Sequence, residues 1–564
     1  MNTYTEMKKF RNIAMIMVGM TALVGCSDLN EKVLDEYNAA GLTDKQAADG
    51  MIAPVYAVLP TIFQHTTLFA LQEISTDEAI LPYRGGTDWG DNGIYLSLHK
   101  HETTSTDPNV RNTWNAVLAG ISRSVTAINS LKLNSDPNAK LYLAEARGMR
   151  AYYNMVMLDL FGLAFSKEDL GDVTSILRGE AAIAYIKSEL LDVEPVLSTS
   201  VGPGRLTKAG AWGLLARLHL NAAVWRDPYG TATHKAEDMD KVVEYTDKII
   251  NSSQYALSAD YWDIFGNANH TNKELILAVD QRAELNGHNR MSYFSLANDQ
   301  RPLPAYPAAN GTDGPAITPT FYQSWVSAYG SVDPAVADPR FFKQNVKKED
   351  NQCVDPATYK IDRGILRGQQ YGLIYKSGAF VKCADGKSLQ VGKILNSRGK
   401  GNPLVIHTEK VDFTTEGSDY SSGYRVEKYE FSDKSASGRN FGEADLIIVR
   451  LADVYLMRAE AKLRKSNDAA AALADVNKVR LSRTANSAAT PLSTINLDLL
   501  LRERGFEFYW ELQRRTDLIR FGKYEDSWTE KTNTNKNMRI FPIPQTAIDG
   551  ASNLTGYLKQ NAGY

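Results

Sequence analysis

The sequence predicts a mostly α-helical protein: a scaffold of paired helices, interrupted by a loop-rich half that carries short β strands. Three observations point there. First, apolar residues recur at helical spacing through 444–522, at Leu451, Val454, Tyr455, Ala459 and Leu463, then at Ala469, Leu473, Val476 and Val479. A third stripe, Leu499, Phe506, Trp510 and Leu518, is aromatic, and Ser466 or Asn467 reads as the cap between the first two. Second, three segments begin alike: AEARGMRAYY from Ala144, AGAWGLLARLHL from Ala209 and ADVYLMRAEAKL from Ala452. Two of them are followed by a partner helix, and a unit of roughly 34 residues is the tetratricopeptide pattern. Third, helical periodicity fades over 257–440, where Gly, Asn, Pro, Tyr and Ser are frequent.

In chain order, 47–69 reads as a helix that Pro54 and Pro60 would kink or end. Residues 71–110 read as a loop containing aromatics. Helices follow over 110–129, 138–161 (stopped by Gly162), 181–191, 205–223 and 235–251. In the loop-rich half, 275–279, 381–391, 423–431 and 446–449 are strand candidates, and 317–329 is a short helix. Residues 538–544 read as extended, and 561–564 as a fraying end. The organisation is then 1–25 signal, 26–45 tether, 46–256 first scaffold part with a candidate binding loop at 75–105, 257–443 loop-rich insertion, and 444–564 second scaffold part with the tail.

The N-terminus has its own logic. Lys8, Lys9 and Arg11 precede a short apolar run, 13–24, which ends in Leu23-Val24-Gly25-Cys26. That is an export signal with a lipoprotein cleavage box, and Cys26 becomes the acylated first residue. Cys353 and Cys383 remain, either bridged across the insertion or as two thiols.

Composition excludes some classes. Of 564 residues, 43% are apolar and 23% charged, as in an ordinary folded protein. A net charge of -3 and the lack of a basic, aromatic-interleaved stripe argue against nucleic acid. His99, His101 and Glu102 lack the further spaced ligands zinc needs, and His219 sits among helix residues. Asp91-Asn92-Gly93 is too short for an EF-hand loop. Glu503 and Glu507 share a helix face, as a glycosidase pair would. Arg504, Arg514 and Arg515 crowd them, which favours structural ion pairs. No cofactor is expected.

The loop is the candidate site. Gly85, Gly86, Gly90 and Gly93 surround Trp89, with Tyr83, Arg84 and Tyr95 beside it. An indole among glycines is either a ligand platform or a plug that folds back.

Four blocks carry a family resemblance: Cys26-Ser27-Asp28-Leu29-Asn30-Glu31, the run from Ala144 to Gly162, the run from Arg450 to Ala461, and Glu503-Arg504 with Glu507, Arg515, Asp517-Leu518, Arg520 and Gly522. In that order they resemble the SusD/RagB family of outer-surface glycan-binding lipoproteins. The resemblance implies a helical scaffold, no catalysis, a SusC-like TonB-dependent transporter as partner, and an outer-membrane, cell-surface location held by acylated Cys26. It also implies that structural calcium can be present, at a position the sequence does not give. By position, Asp77, Glu78, Arg84 and Trp89 fall on the family's first binding loop; where some relatives read Trp-Tyr-Asp-Gly, this chain reads Trp89-Gly90-Asp91-Asn92-Gly93.

A glycan presents C–H ring faces and hydroxyl rims. Trp89 would cover a face, while Asp77, Arg84, Asp91 and Asn92 would bond hydroxyls, with Tyr83 and Tyr95 flanking. Tyr322, Trp325 and Tyr329 form a second candidate platform, although their helical spacing equally suits core packing.

Overall fold

The structure, a computed structural model, describes residues 42–84, 93–285, 290–302, 304, 309–414, 419–432, 442–485 and 489–564. The signal, Cys26, Trp89, Asp91 and Asn92 lie outside the described residues. Ala48–Tyr564 forms one compact unit; Met1–Ala47 separates as the other, and only 42–47 of it are described.

Seven helices stack in series. Pro108–Leu131 packs on Ala139–Phe161, which packs on Gly179–Val193, then Lys208–Arg226, then Ala236–Asn251. The next neighbour of Ala236–Asn251 is Leu451–Ser466, which pairs with Ala469–Arg480. Some 200 residues separate two helices that lie side by side, so the loop-rich half is an insertion into a continuous helical array.

The repeated motif has a packing reason. A Cβ on Gly148 would lie 2.2 Å from Leu206 Cδ2, and one on Gly213 would lie 2.8 Å from Val449 Cγ1. The glycine in the first two copies lets the neighbouring element approach closely; the third copy has Leu456 at that position. Caps set the helix starts. Asp107 accepts from the N–H of Asn109 and Val110, and Thr207 from that of Gly210. Gly162, at φ 67°, ends Ala139–Phe161.

The core runs through this array and includes Trp114, Tyr153, Leu214, Leu215, Trp262 and Val449. Leu275–Val279 and Leu446–Arg450 pair antiparallel at the point where the chain leaves and re-enters the scaffold. Within the insertion, Phe342–Lys343, Arg363–Leu366 and Arg425–Glu427 form one three-stranded sheet. Tyr371–Leu373, Leu389–Lys393 and Gln352–Val354 form another. Cys353 is bonded to Cys383, with Cα atoms 6.1 Å apart.

Four local expectations are corrected. Asp468, not Ser466 or Asn467, caps Ala469–Arg480, because Asn467 adopts φ 52° as the end of the preceding helix. The 47–69 helix is instead Asp44–Ala57 followed by Leu59–Ile62, with Pro60 in its first turn. The third helix breaks: Leu497–Phe508 and Arg514–Arg520 are separate, and Trp510 and Leu512 between them adopt φ 62°. The C-terminal end is held, since the buried Asn561 amide donates to the carbonyls of Phe161 and Phe541.

Candidate functional site

The 71–110 stretch is more ordered than a loop. It contains a π-helical turn at Ala70–Ile74, the strand Ala79–Ile80 and the helix Ile94–His99. The strand pairs with Ala316–Ile317 of the insertion, Ala79 opposite Ile317 and Ile80 opposite Ala316. This joins scaffold and insertion directly beside the Trp89 loop.

Arg84 closes the joint. It is buried, and its guanidinium donates to four main-chain carbonyls: Asp313 (3.1 Å), Gly314 (2.8 Å), Asp419 (3.2 Å) and Ser422. Arg425 donates to the carbonyls of Ser422 and Tyr420, both at 2.8 Å, and His407 Nδ1 lies 2.9 Å from the Ser421 carbonyl. Burial, then the neighbouring Arg425 charge, pulls the Arg84 pKa well down. Burial also lowers that of Arg425, to about 10. Two guanidiniums thus fix one short turn, 419–422, against the base of the loop. At the loop's far end Gly93 adopts φ 81° and Tyr95 is buried. Arg84 and Tyr95, on either side of 85–92, are both anchored in the fold.

This changes the roles expected of several residues. Arg84 spends its donors on carbonyls, so it positions the loop rather than meeting hydroxyls. Asp77 takes a bidentate pair from Arg514, with Nε and Nη2 both at 2.7 Å, and is likewise structural. Tyr95, 1% exposed, lies inside the fold. Tyr83 is half-buried next to Arg84.

The second platform is core in two of its three members. Trp325 is 0% exposed and stacks on Phe506, with centroids 3.7 Å apart. Tyr329 donates to Asp338 Oδ2 at 2.5 Å and accepts from Arg480 at 3.0 Å. The helical spacing of the three therefore reports packing. Tyr322 is buried as well, 8% exposed: its hydroxyl accepts from Arg367 at 3.1 Å, and its ring meets Tyr424 edge-on at 4.7 Å; Tyr329 is the half-buried member of the three. Sequence reasoning missed Tyr424, Arg425 and the 419–422 turn. Their only signal was the Ser421-Ser422-Gly423-Tyr424 run, a turn followed by an aromatic.

Glu503 and Glu507 sit in a buried ion network. Arg450 bonds Glu274, Glu507 and Glu511 at 2.7–2.8 Å. Arg483 bonds Glu274 and Glu507, while Arg340 bonds Asp338, Glu503 and Glu507. Burial alone would raise the Glu507 carboxyl; Arg483, Arg450 and Arg340 outweigh it and hold the group well below the usual carboxylate range. A carboxylate so held is a poor proton donor.

The histidines are structural too. His99 Nδ1 lies 2.8 Å from the Ile74 carbonyl, and burial lowers the pKa of both His99 and His101. His219 pairs with Asp238 at 2.8 Å. His270, Asp280 and Asp445 bring their ligand atoms within 4.8 Å of one another and form a cluster able to coordinate a metal ion. It does not fit calcium, which takes six to eight oxygen ligands. One donor is an imidazole, held 2.7 Å from Asp445, and Arg282 already occupies Asp280.

A helical array with a loop-rich insertion, joined to it by the Ala79–Ile80 strand pair and by Arg84, defines a repeat scaffold. The SusD family model matches residues 273–564, more than half of the chain, and the chain belongs to that family. It is similar to the starch-binding protein SusD of Bacteroides thetaiotaomicron, 26% identical over 521 residues, 89% of this chain and 86% of that one. A SusD-like protein of Bacteroides ovatus is 24% identical over 288 residues, 48% of this chain and 50% of that one. Among solved structures, a laminarin binding SusD-like protein superposes with TM-score 0.63 at 17% identity, covering 93% of this chain and 100% of the other. Surface glycan-binding protein A from Bacteroides thetaiotaomicron, solved with laminarihexaose, gives 0.62 at 19% identity, covering 92% and 100%. These structural likenesses show the fold. No helix among the described residues is long and apolar enough to cross a membrane.

Proposed function

We propose that the chain is a non-catalytic, cell-surface binder of a polysaccharide or oligosaccharide, which it delivers to a SusC-like TonB-dependent transporter of the outer membrane. The observation that supports this reading is the anchoring of the residues that flank 85–92: Arg84 is bound to four carbonyls and Tyr95 is buried, on either side of a stretch whose sequence contains Trp89, Asp91 and Asn92. An indole held this way covers a sugar ring face, and the adjoining carboxylate and amide bond its hydroxyls. Tyr83 and Tyr424, both half-buried, extend the platform.

Two relatives support the sugar class by name, one starch-binding and one laminarin-binding. The anchor in this reading is acylated Cys26 after removal of 1–25, with 26–45 as tether, 46–256 and 444–564 as scaffold and 257–443 as insertion. An open surface of this kind binds at millimolar to micromolar Kd, about -4 to -8 kcal/mol, weak enough to release ligand onward. The locked Glu503 and Glu507 argue against hydrolysis.

The test is affinity electrophoresis against a polysaccharide panel that includes starch and laminarin, with a reducing-end assay in parallel. Retention without release of reducing ends is expected. Release that depends on one carboxylate, or retention of no polysaccharide, would overturn the reading.

A further inference from the structure

The insertion contains a second cleft, of about 630 Å³, built from residues other than the Trp89 loop. That volume suits a small ligand, for which about 300–1,000 Å³ is usual. Its apolar surface comes from Ile374, half-buried, and Leu395, 47% exposed, while Leu373 and Val391 beneath are packed in a core with Val346 and Leu389. Gly392 lies beside Ile374, where a Cβ would come within 3.1 Å of Ile374 Cδ1 and 3.8 Å of Asp350 Oδ1. The missing side chain keeps the floor open towards the rim.

The rim is polar and mixed in sign. Asp350, Asn351, Gln390, Lys393 and Asn402 line it, together with Arg301. Lys393 Nζ lies 3.5 Å from Asp350, and Gln390 Nε2 donates to Asn351 Oδ1 at 2.6 Å. Opposite charges next to one another, with amides between, do not select an anion such as phosphate. They supply alternating donors and acceptors, as a row of hydroxyls requires. The aromatic present, Tyr375, is not a platform: Arg301 lies 4.5 Å above its ring and Phe380 meets its edge. Ring C–H groups would instead rest on the aliphatic floor.

The walls are rigid. Tyr371–Leu373 pairs with Leu389–Lys393, which pairs with Gln352–Val354, and Cys353 within that edge strand is bonded to Cys383. Asp350 and Asn351 lead directly into the pinned strand, so two rim residues are set before any ligand arrives.

We propose that this cleft is a second carbohydrate subsite, engaging a stretch of the same glycan chain that the Trp89 loop holds. The inference rests on the glycan-binding reading above. A shallow site of this kind binds a short oligosaccharide weakly. Linked through one polymer to a first site, it raises retention of long chains without adding affinity for short ones.

The test compares four full-length proteins: wild type, Trp89→Ala, Asn351→Gly with Lys393→Ala, and all three substitutions together. The probes are immobilised starch, laminarin and xyloglucan, and the hexasaccharides of each. The rim pair is exposed, and glycine keeps the left-handed backbone of position 351 (φ 61°) without strain, so the melting temperature should match wild type. It should lower retention of the bound polymer about tenfold, yet change hexasaccharide affinity less than twofold. Trp89→Ala should keep a residual retention that the triple variant loses. Asn402→Gly, on a separate loop of the rim where φ is 49°, should independently give the same polymer-selective loss. Polymer retention by the rim variants equal to wild type overturns the second subsite and leaves the Trp89 reading standing. Trp89→Ala binding as wild type overturns that reading instead, and failure of wild type to retain any of the three polymers overturns both.

Discussion

The carboxylate of Glu78 accepts the backbone N–H of Trp510 at 2.7 Å, across 432 positions of sequence, and Trp510 is a non-glycine residue at φ 62°. Glu73 does the same for the N–H of Leu512, also at φ 62°. Two buried carboxyls therefore hold the left-handed break between the last two scaffold helices, beside the strand that leads to Arg84. Burial raises the Glu78 pKa to about 7, against the lowering pull of the Trp510 hydrogen bond. Burial and then the Glu78 charge raise that of Glu73.

A pH dependence follows. Below about pH 4.5, folded and unfolded chains both carry the protons, and the pair costs nothing. As pH rises the unfolded chain ionises first, while the native state keeps the Glu78 proton until about pH 7, and Glu73 is raised in the same direction. The native state binds more protons through that window, so the stability contributed by the pair falls as pH rises, by on the order of 2–3 kcal/mol. Denaturant unfolding of wild type and Glu78→Gln from pH 4 to 8 checks this. The variant should lose less stability across the window, since its amide still accepts from Trp510 and does not ionise.

Arg84→Ala should release the turn at 419–422 and leave the carbonyls of Asp313, Gly314, Asp419 and Ser422 without their shared donor. The expected cost is about 2–4 kcal/mol in urea unfolding. Polysaccharide retention should fall at least tenfold, because the Trp89 loop loses one support. Arg84→Lys should not rescue either effect, since an ammonium cannot span four carbonyls in the guanidinium plane.

Arg450→Met should destabilise by about 3–5 kcal/mol, because Glu274, Glu507 and Glu511 lose the cation they share. Thermal unfolding checks it. The loss should appear in the whole scaffold, since the network ties the re-entry strand to the Leu497–Phe508 helix.

Replacing Cys353 and Cys383 with serine removes a link across 30 positions. The expected loss is about 3–4 kcal/mol of insertion stability. Hydrogen exchange should show it confined to the sheet of Tyr371–Leu373, Leu389–Lys393 and Gln352–Val354, with the helical array unchanged.

The scaffold was legible because long helices repeat their apolar face several times, as in Pro108–Leu131 and Ala139–Phe161. The insertion was less so. A strand such as Tyr375–Lys376 has two residues and no period to read. Leu275–Val279 was readable as a continuous apolar run, and it is buried at all five positions. Within the candidate site, the sequence misleads about individual roles. Arg84 and Asp77 look like sugar ligands on paper because composition does not reveal that one is buried among carbonyls and the other is paired with Arg514. Tyr322 and Trp325 carry the helical spacing of core residues, and core is where they lie. The link between Glu78 and Trp510 joins the two ends of the chain, so no local pattern records it.

The central claim is that the clamped loop presents an indole to a sugar ring. Isothermal titration of wild type and Trp89→Ala with the oligosaccharide of whichever polymer the panel identifies tests it most directly. The account expects Kd to rise at least tenfold with an unchanged melting temperature. Equal Kd values for the two proteins would contradict it.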